Sequence, residues 1–342
     1  MKRTIVSQAL LLLIALLGLQ LKTHAQTNAQ RARNAATAPA SSTLMSSLPE
    51  SDAVAQVKVK RLVSEAMPRM LANNPAKLAE ANAAIERFKN RTGLDPKMFD
   101  QLALGTRFTY PAPGITKLRT VALANGEFSA AAMVAAGRVA SNGKYREEKY
   151  QGKTIYIFTL DENIKLFGLF DFTIKELAAC PLDSNVLALG DATSVKSVID
   201  VNRGRKKGNA ELVALATKDP NAVIGFGGNL SAQLMRNIDI GNAPIANDLS
   251  ALRQVYGSVA TTEKDVELFI AARATNGEAA KSLGDTLVGL KQFGALFVGR
   301  LSGAKGVLAK SALSNLRIDT QGNEIQIRTA VAQSDVGPLM GN

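Results

Sequence analysis

The chain has 342 residues, 46% hydrophobic and 20% charged, the proportions of a globular protein rather than of a disordered tail. Its 41 Lys and Arg against 29 Asp and Glu leave a net charge of +12, which favours anionic partners such as lipid headgroups, wall polymers or nucleic acid. The single cysteine, Cys180, excludes an intramolecular disulfide, and Cys180 itself is expected to be a small buried apolar residue.

The first 25 residues have the three-part layout of a secretory signal. Met1-Lys2-Arg3 is a basic start, residues 9–19 are almost all Leu, Ile and Ala, and small Thr23 and Ala25 stand at the −3 and −1 positions. The apolar run is shorter than the roughly 20 residues that cross a bilayer, so cleavage is expected rather than a retained anchor. Export to the periplasm or cell envelope of a bacterium is the corresponding expectation. Loss of Lys2, Arg3 and Lys22 would lower the net charge from +12 to +9. Residues 26–47, rich in Ala, Thr, Ser, Asn and Gln without periodicity, read as a flexible linker. No transmembrane span is expected in the mature chain. Residues 286–301 come closest, but Lys291 and Arg300 interrupt them.

An α+β body follows, expected as a first unit over residues 48–208 and a second over 209–342. The first reads as a strand at 52–59, a helical region at 60–90 broken by Pro68 and Pro75, strands at 101–109 and 118–125, an Ala-rich helix at 128–140 and a strand at 153–160. Residues 163–208 add strands near 170–177 and 185–190 and a helix at 193–201. In the second unit a strand opens at Asn221-Ala222-Val223, a helix is expected at 231–238, a strand at 266–274 and a long helix at 279–298. Val266, Leu268, Ile270 and Ala272 alternate, the pattern of a sheet covered on one side. Mostly antiparallel or mixed sheets with helices packed on one face are therefore expected.

Three short matches recur in the same order. Asp52-Ala53-Val54 matches Asn221-Ala222-Val223, Asn125-Gly126-Glu127 matches Asn276-Gly277-Glu278, and the Gln151-Gly152 segment with Ile155, Ile157 and Thr159 matches Gln321-Gly322 with Ile325, Ile327 and Thr329. Their order predicts two related units of strand-helix-strand-strand-helix-strand type.

The sequence contains no complete catalytic or cofactor motif. His24 is the only histidine and lies in the leader, so the mature chain lacks the imidazole of a Ser-His-Asp triad or a His-ligated zinc site. Gly152-Lys153-Thr154 resembles the end of a phosphate loop, but Glu147 stands where that loop needs glycine. Gly225-Phe226-Gly227-Gly228-Asn229-Leu230 departs from a dinucleotide fingerprint at Leu230 and reads as a glycine-rich turn into a helix capped near Ser231. Ser141 with Lys144 and Ser302 with Lys305 have the spacing of a serine–lysine dyad, but both serines are expected in Gly-bounded turns rather than at helix starts. No cofactor and no metal site are expected. Arg203, Arg205, Lys206 and Lys207 form the one tight basic cluster, a candidate patch for an anionic surface. No aromatic residue interleaves with it, so specific nucleic-acid recognition is not expected.

The segments Leu48-Pro49-Glu50-Ser51-Asp52-Ala53, Tyr150-Gln151-Gly152-Lys153 and Asn185-Val186-Leu187-Ala188-Leu189-Gly190-Asp191 resemble those of exported bacterial proteins built from duplicated α+β units. The resemblance spans most of residues 48–335. It implies an envelope location and a similar fold, and brings neither an activity nor a site residue. The function expected is that of a non-catalytic binding or scaffolding protein whose partner is an anionic envelope surface or another protein. The alternatives are a carrier of a small or lipidic ligand and a histidine-free hydrolase with its site between the two units.

Overall fold

The computed structural model describes residues 41–92, 94–112, 115–166, 170–236 and 249–336. The expected leader, and the expected linker up to residue 40, lie outside them. The rest of that linker departs from expectation. Helix α1 (Ser41–Ser46) places Leu44 and Met45 in the main core with Leu48 behind them, because three large apolar side chains this close together bury more favourably than they stay in water.

The body is α+β. One antiparallel sheet of twelve strands runs through it in the order β11-β12-β10-β9-β8-β1-β2-β3-β7-β6-β5-β4. Its middle is the pair β1 (Ala53–Val57) and β8 (Ala222–Asn229), with Val54 opposite Gly227 and Val57 opposite Ile224. Outward from β1 lie β2 (Phe99–Ala112), β3 (Ile115–Gly126), β7 (Val186–Gly190), β6 (Phe170–Asp183), β5 (Lys153–Leu166) and β4 (Tyr145–Tyr150). Outward from β8 lie β9 (Leu252–Thr261), β10 (Asp265–Ala274), β12 (Glu324–Ala332) and the edge strand β11 (Arg317–Gln321).

Helices lie on both faces, which corrects the expectation of one. The reason is visible in β3, where Val121, Ala122, Leu123 and Ala124 are all buried, so neither side of the central strands meets water. Val121 and Leu123 face a cluster with α1, α6 (Ala192–Asn202) and α7 (Ala210–Ala216), through Val195, Val198, Ile199, Leu212 and Leu215. Ala122 and Ala124 face the opposite way. There they meet Val59 of α2 (Val59–Arg61), Leu62 and Val63 of the π-helical turn Leu62–Ala66 and Met133 of α5 (Ala130–Ala140). That turn runs on into α3 (Met67–Met70), with Pro68 inside the continuous helical stretch from 59 to 70, and α4 (Pro75–Thr92) follows after a break at 71–74, so Pro75 stands in a first helical turn, where no N–H is missed. The same second face carries α9 (Gly277–Val298) over Leu252, Ala274 and Ile325, and then α10 (Gly303–Ser314). The alternation in β10 describes its own place correctly, because its first face has no helix over it.

Helix starts follow side-chain chemistry. Ser129, Asp191, Asn209 and Asn276 each accept a hydrogen bond from the backbone N–H three residues on, capping α5, α6, α7 and α9. The two Asn-Gly-Glu segments therefore differ in role. Asn276 caps a helix, whereas Asn125 and Gly126 end a strand and Ser129 does the capping.

The Gln-Gly match differs too. Gln151 and Gly152, both at positive φ, form the two-residue turn between β4 and β5. Gln321 instead ends β11, and Gly322-Asn323 makes the turn. That one-residue slip reverses the faces. Ile155 and Ile157 enter the cluster under α6, while Ile325 enters the cluster under α9, on the other side of the sheet.

The segment expected to be a glycine-rich turn is strand. Gly225 and Gly227 lie within β8 and let α7 approach; a Cβ on Gly225 would overlap the carbonyl oxygen of Ala216. The expected helix after it is α8 (Ala232–Arg236), capped by Ser231 through the N–H of Leu234.

Candidate functional site

The boundary expected to hold a groove, between residues 208 and 209, lies beside the continuous β1–β8 ladder, with α7 packed over it. A groove of about 910 Å³ opens elsewhere, on the helix-free first face of β9, β10 and β12. It is bounded by the end of α7 on one side and, on the other, by the edge strand β11 with Ser314, Asn315 and Leu316 leading into it and Lys291 beside them.

Strand parity builds its floor. Tyr256 and Ser258 on β9, Phe269 on β10 and Arg328 on β12 all point to the first face, and Phe269 stands opposite both Ser258 and Arg328. Tyr256 is 1% exposed and meets Phe269 edge-on, with ring centres 5.8 Å apart. Cations lie over this aromatic pair. The Lys218 ammonium is 4.8 Å from the centre of the Tyr256 ring and 5.9 Å from that of Phe269. The Arg328 guanidinium lies 4.9 Å from Phe269, and that of Arg273 5.4 Å from Tyr256.

Hydrogen bonds order the inner end. Tyr256 donates its hydroxyl proton to Glu324 at 2.9 Å, so its oxygen accepts from Lys218 Nζ, also at 2.9 Å. Arg273 Nε donates to the other Glu324 oxygen at 3.0 Å, and its Nη1 donates to Gln254 and Glu211. Burial works to raise the Glu324 pKa, but the bonds from Arg273, Gln326 and Tyr256 outweigh it, and the carboxyl is held below its ordinary value. Asp219 is occupied by Ser258 Oγ and the N–H of Asn221.

A second feature projects from the opposite face. Helices α9 and α10 form a hairpin joined at Gly299–Gly303. Of the eight large apolar side chains exposed among the described residues, seven lie between Val288 and Val307. Phe293, Leu296 and Leu301 are 61%, 70% and 54% exposed, and Phe293 stacks on Phe297 with ring centres 5.0 Å apart. Between Asp285 and Asp319 the sequence holds no carboxylate, and it carries Lys291, Arg300, Lys305, Lys310 and Arg317. Among the described residues, no helix is long and apolar enough to cross a membrane.

The basic cluster singled out in the sequence lies in the exposed loop between α6 and α7, before the start of α7, whereas Lys218 of the groove follows its end. There Lys206 pairs with Asp200 at 3.0 Å, and Asp200 also accepts from Tyr150 at 2.9 Å. Arg203 packs its guanidinium against Gly152, in the β4–β5 turn. The rejected motifs have structural roles. Lys153 donates to the carbonyl of Leu182, and Ser141 ends α5 with its hydroxyl on the carbonyl of Arg138. Ser302 does stand at a helix start, contrary to expectation, as the residue before α10. Cys180 is fully buried, and burial pushes its thiol up to about 11. Sequence reading passed over Lys218, Tyr256, Phe269, Arg317 and Arg328. Their separation in sequence hides them, and only the alternation along β10 and β12 hints that they share a face.

No family model matches the chain, and no curated protein matches it. Solved structures of TP0453 are similar to it. Crystal form III has a TM-score of 0.46 at 10% identity and covers 86% of this chain and 96% of that one. Crystal form IV has a TM-score of 0.42 at 9% identity, over 86% and 94%, and crystal form I a TM-score of 0.42 at 8% identity, over 87% and 96%. A likeness of this size carries no argument about what this chain does.

Proposed function

We propose that this is an exported, non-catalytic binding protein of the cell envelope that holds to an anionic lipid surface through the hairpin of α9 and α10. The observation that carries the reading is the hairpin end itself, where clustered exposed apolar side chains coincide with Arg300, Lys305 and Lys310 in a stretch of chain that has no carboxylate. Apolar patches of this kind are costly in water unless something covers them. Arg300, with its guanidinium 5.7 Å from the Phe297 ring, places charge beside the apolar end, at the level where lipid phosphates would lie. Each Lys or Arg near an anionic membrane is worth on the order of 1 kcal/mol. The hairpin would lie in the interface without spanning it. The leader at residues 1–25 supports export to the periplasm or envelope.

We also propose that the two halves are copies of one unit. In support, β1-β2-β3 and β8-β9-β10 run outward from the central pair in the same order, and a helix follows the third strand of each.

Co-sedimentation of the mature protein with vesicles tests the lipid reading. Binding is expected to vesicles rich in phosphatidylglycerol, to weaken as salt rises, and to be lost in Phe293→Ser/Phe297→Ser. Equal binding to neutral vesicles, or undiminished binding by that double variant, would overturn it.

A further inference from the structure

The groove on the first face has an electrostatic feature that the fold does not require. Arg317 and Arg328 stand directly opposite each other on β11 and β12. Like charges facing each other across an antiparallel pair destabilise it. Neither guanidinium has a carboxylate partner among the described residues, although acidic residues were available to the same strands. Lys218 reaches the same place from the end of α7, and its contacts are a phenolic oxygen and two ring faces rather than a carboxylate. Lys218 and Arg328 both rest within 6 Å of the centre of the Phe269 ring, at 5.9 Å and 4.9 Å. Lys218 and Arg328 thus meet over one aromatic floor, Arg317 stands beside Arg328 on the edge strand, and all three line the groove together with Lys291.

We propose that this groove is a binding site for a phosphate ester, with the phosphate held by Lys218, Arg317 and Arg328. Two guanidiniums and one ammonium match a phosphate's charge and its several acceptor oxygens. The anion also removes the repulsion between the two arginines. The alcohol part of the ester lies over Phe269 and continues along β10. Glu267, on the same face two residues away, is roughly 7 Å further on. A carboxylate there suits a hydroxyl or amine on the alcohol, so glycerol and ethanolamine phosphates are the class indicated. The Phe269 floor is on the opposite face of the sheet from α9 and α10, whose Lys291 and Ser314 reach only the outer wall of the groove, and the site does not rest on the exposed apolar end of the hairpin.

Calorimetric titration of the mature protein with glycerol 3-phosphate and with phosphoethanolamine, glycerol serving as the neutral control, tests the proposal. Both esters are expected to bind and glycerol not to. Arg317→Gln and Arg328→Gln are each expected to weaken binding at least tenfold, and Arg328→Lys to weaken it less than Arg328→Gln. Arg205→Gln, in the basic loop before α7 and outside the groove lining, is expected to leave it unchanged. Thermal melts of each variant separate loss of the site from loss of the fold. Should the soluble esters fail, the same variants are compared on vesicles containing phosphatidate; selective loss there would assign the phosphate to a lipid headgroup. If neither soluble ester nor vesicle distinguishes Arg317→Gln and Arg328→Gln from the parent, the proposal is overturned. Phe293→Ser/Phe297→Ser, which removes the hairpin end, is expected to keep ester binding, so the two readings fail separately.

Discussion

Gly225 lies against the carbonyl oxygen of Ala216 so closely that no side chain fits between them. This contact sets the distance from α7 to the middle of the sheet, and with it the position of Lys218, two residues beyond Ala216 and at the mouth of the groove.

Gly225→Ala is therefore expected to destabilise the fold by about 1–3 kcal/mol through overpacking. Gly228→Ala, three residues on, has its nearest neighbour 3.5 Å away and is expected to be close to neutral. Urea unfolding of both variants measures the contrast, and equal effects would remove α7 as the cause.

The end of the expected linker is part of the core. Met45 has no exposed surface, so Met45→Ala is expected to cost about 2–5 kcal/mol. A chain beginning at residue 49 is expected to unfold at lower urea than one beginning at 41. Matching midpoints would return residues 41–48 to the role of a tether.

Asp200 links the β4–β5 hairpin to the loop after α6. Burial acts to raise its pKa, but bonds from Lys206 and Tyr150 win, and the folded-state value lies below the ordinary one. A depressed carboxyl pKa contributes stability that is complete above the unfolded value of about 3.9 and disappears as pH falls through the folded value. Asp200→Asn is thus expected to lower the melting temperature at pH 7 and to lose that difference as the pH drops below about 4. Melting curves across this range check the sign. A deficit that persisted at acid pH would point to packing instead of charge.

Cys180 is expected to be inert. With no exposed surface and a thiol pKa pushed up to about 11, it offers almost no thiolate at pH 8. A chromogenic disulfide reagent should react with it only after unfolding, and rapid labelling of the native protein would contradict the burial.

Much of the first half was legible. Strands β2, β3, β5 and β7 and helices α5 and α6 fall where periodicity and capping residues put them, because Ser129 and Asp191 act on their own neighbours. Strand β4, the edge strand β11 and helix α10 were missed. The first two depend on hairpin partners for stability. The third depends on β12, to which the Ala312 carbonyl is tied by Thr329.

The sites divide in the same way. The acid-free, cationic run from residue 286 to 318 is readable in the chain, but that its apolar residues stay exposed is decided by where α9 outruns the sheet. Of the groove, only the alternation along β10 and β12 was readable. Lys218, Phe269 and Arg328 are separated by dozens of residues, and only strand register brings them together.

What the sequence determined by itself is local: which segments are strand or helix, where helices begin, and which residue types the chain lacks. Those properties act within a few residues, through capping, alternation and glycine's freedom at turns. The tertiary structure alone decided that one sheet runs unbroken from β4 to β11, that helices lie on both its faces, and that one face of its far end is left bare. These depend on backbone pairing between distant strands, whose hydrogen bonds are the same whatever side chains they carry.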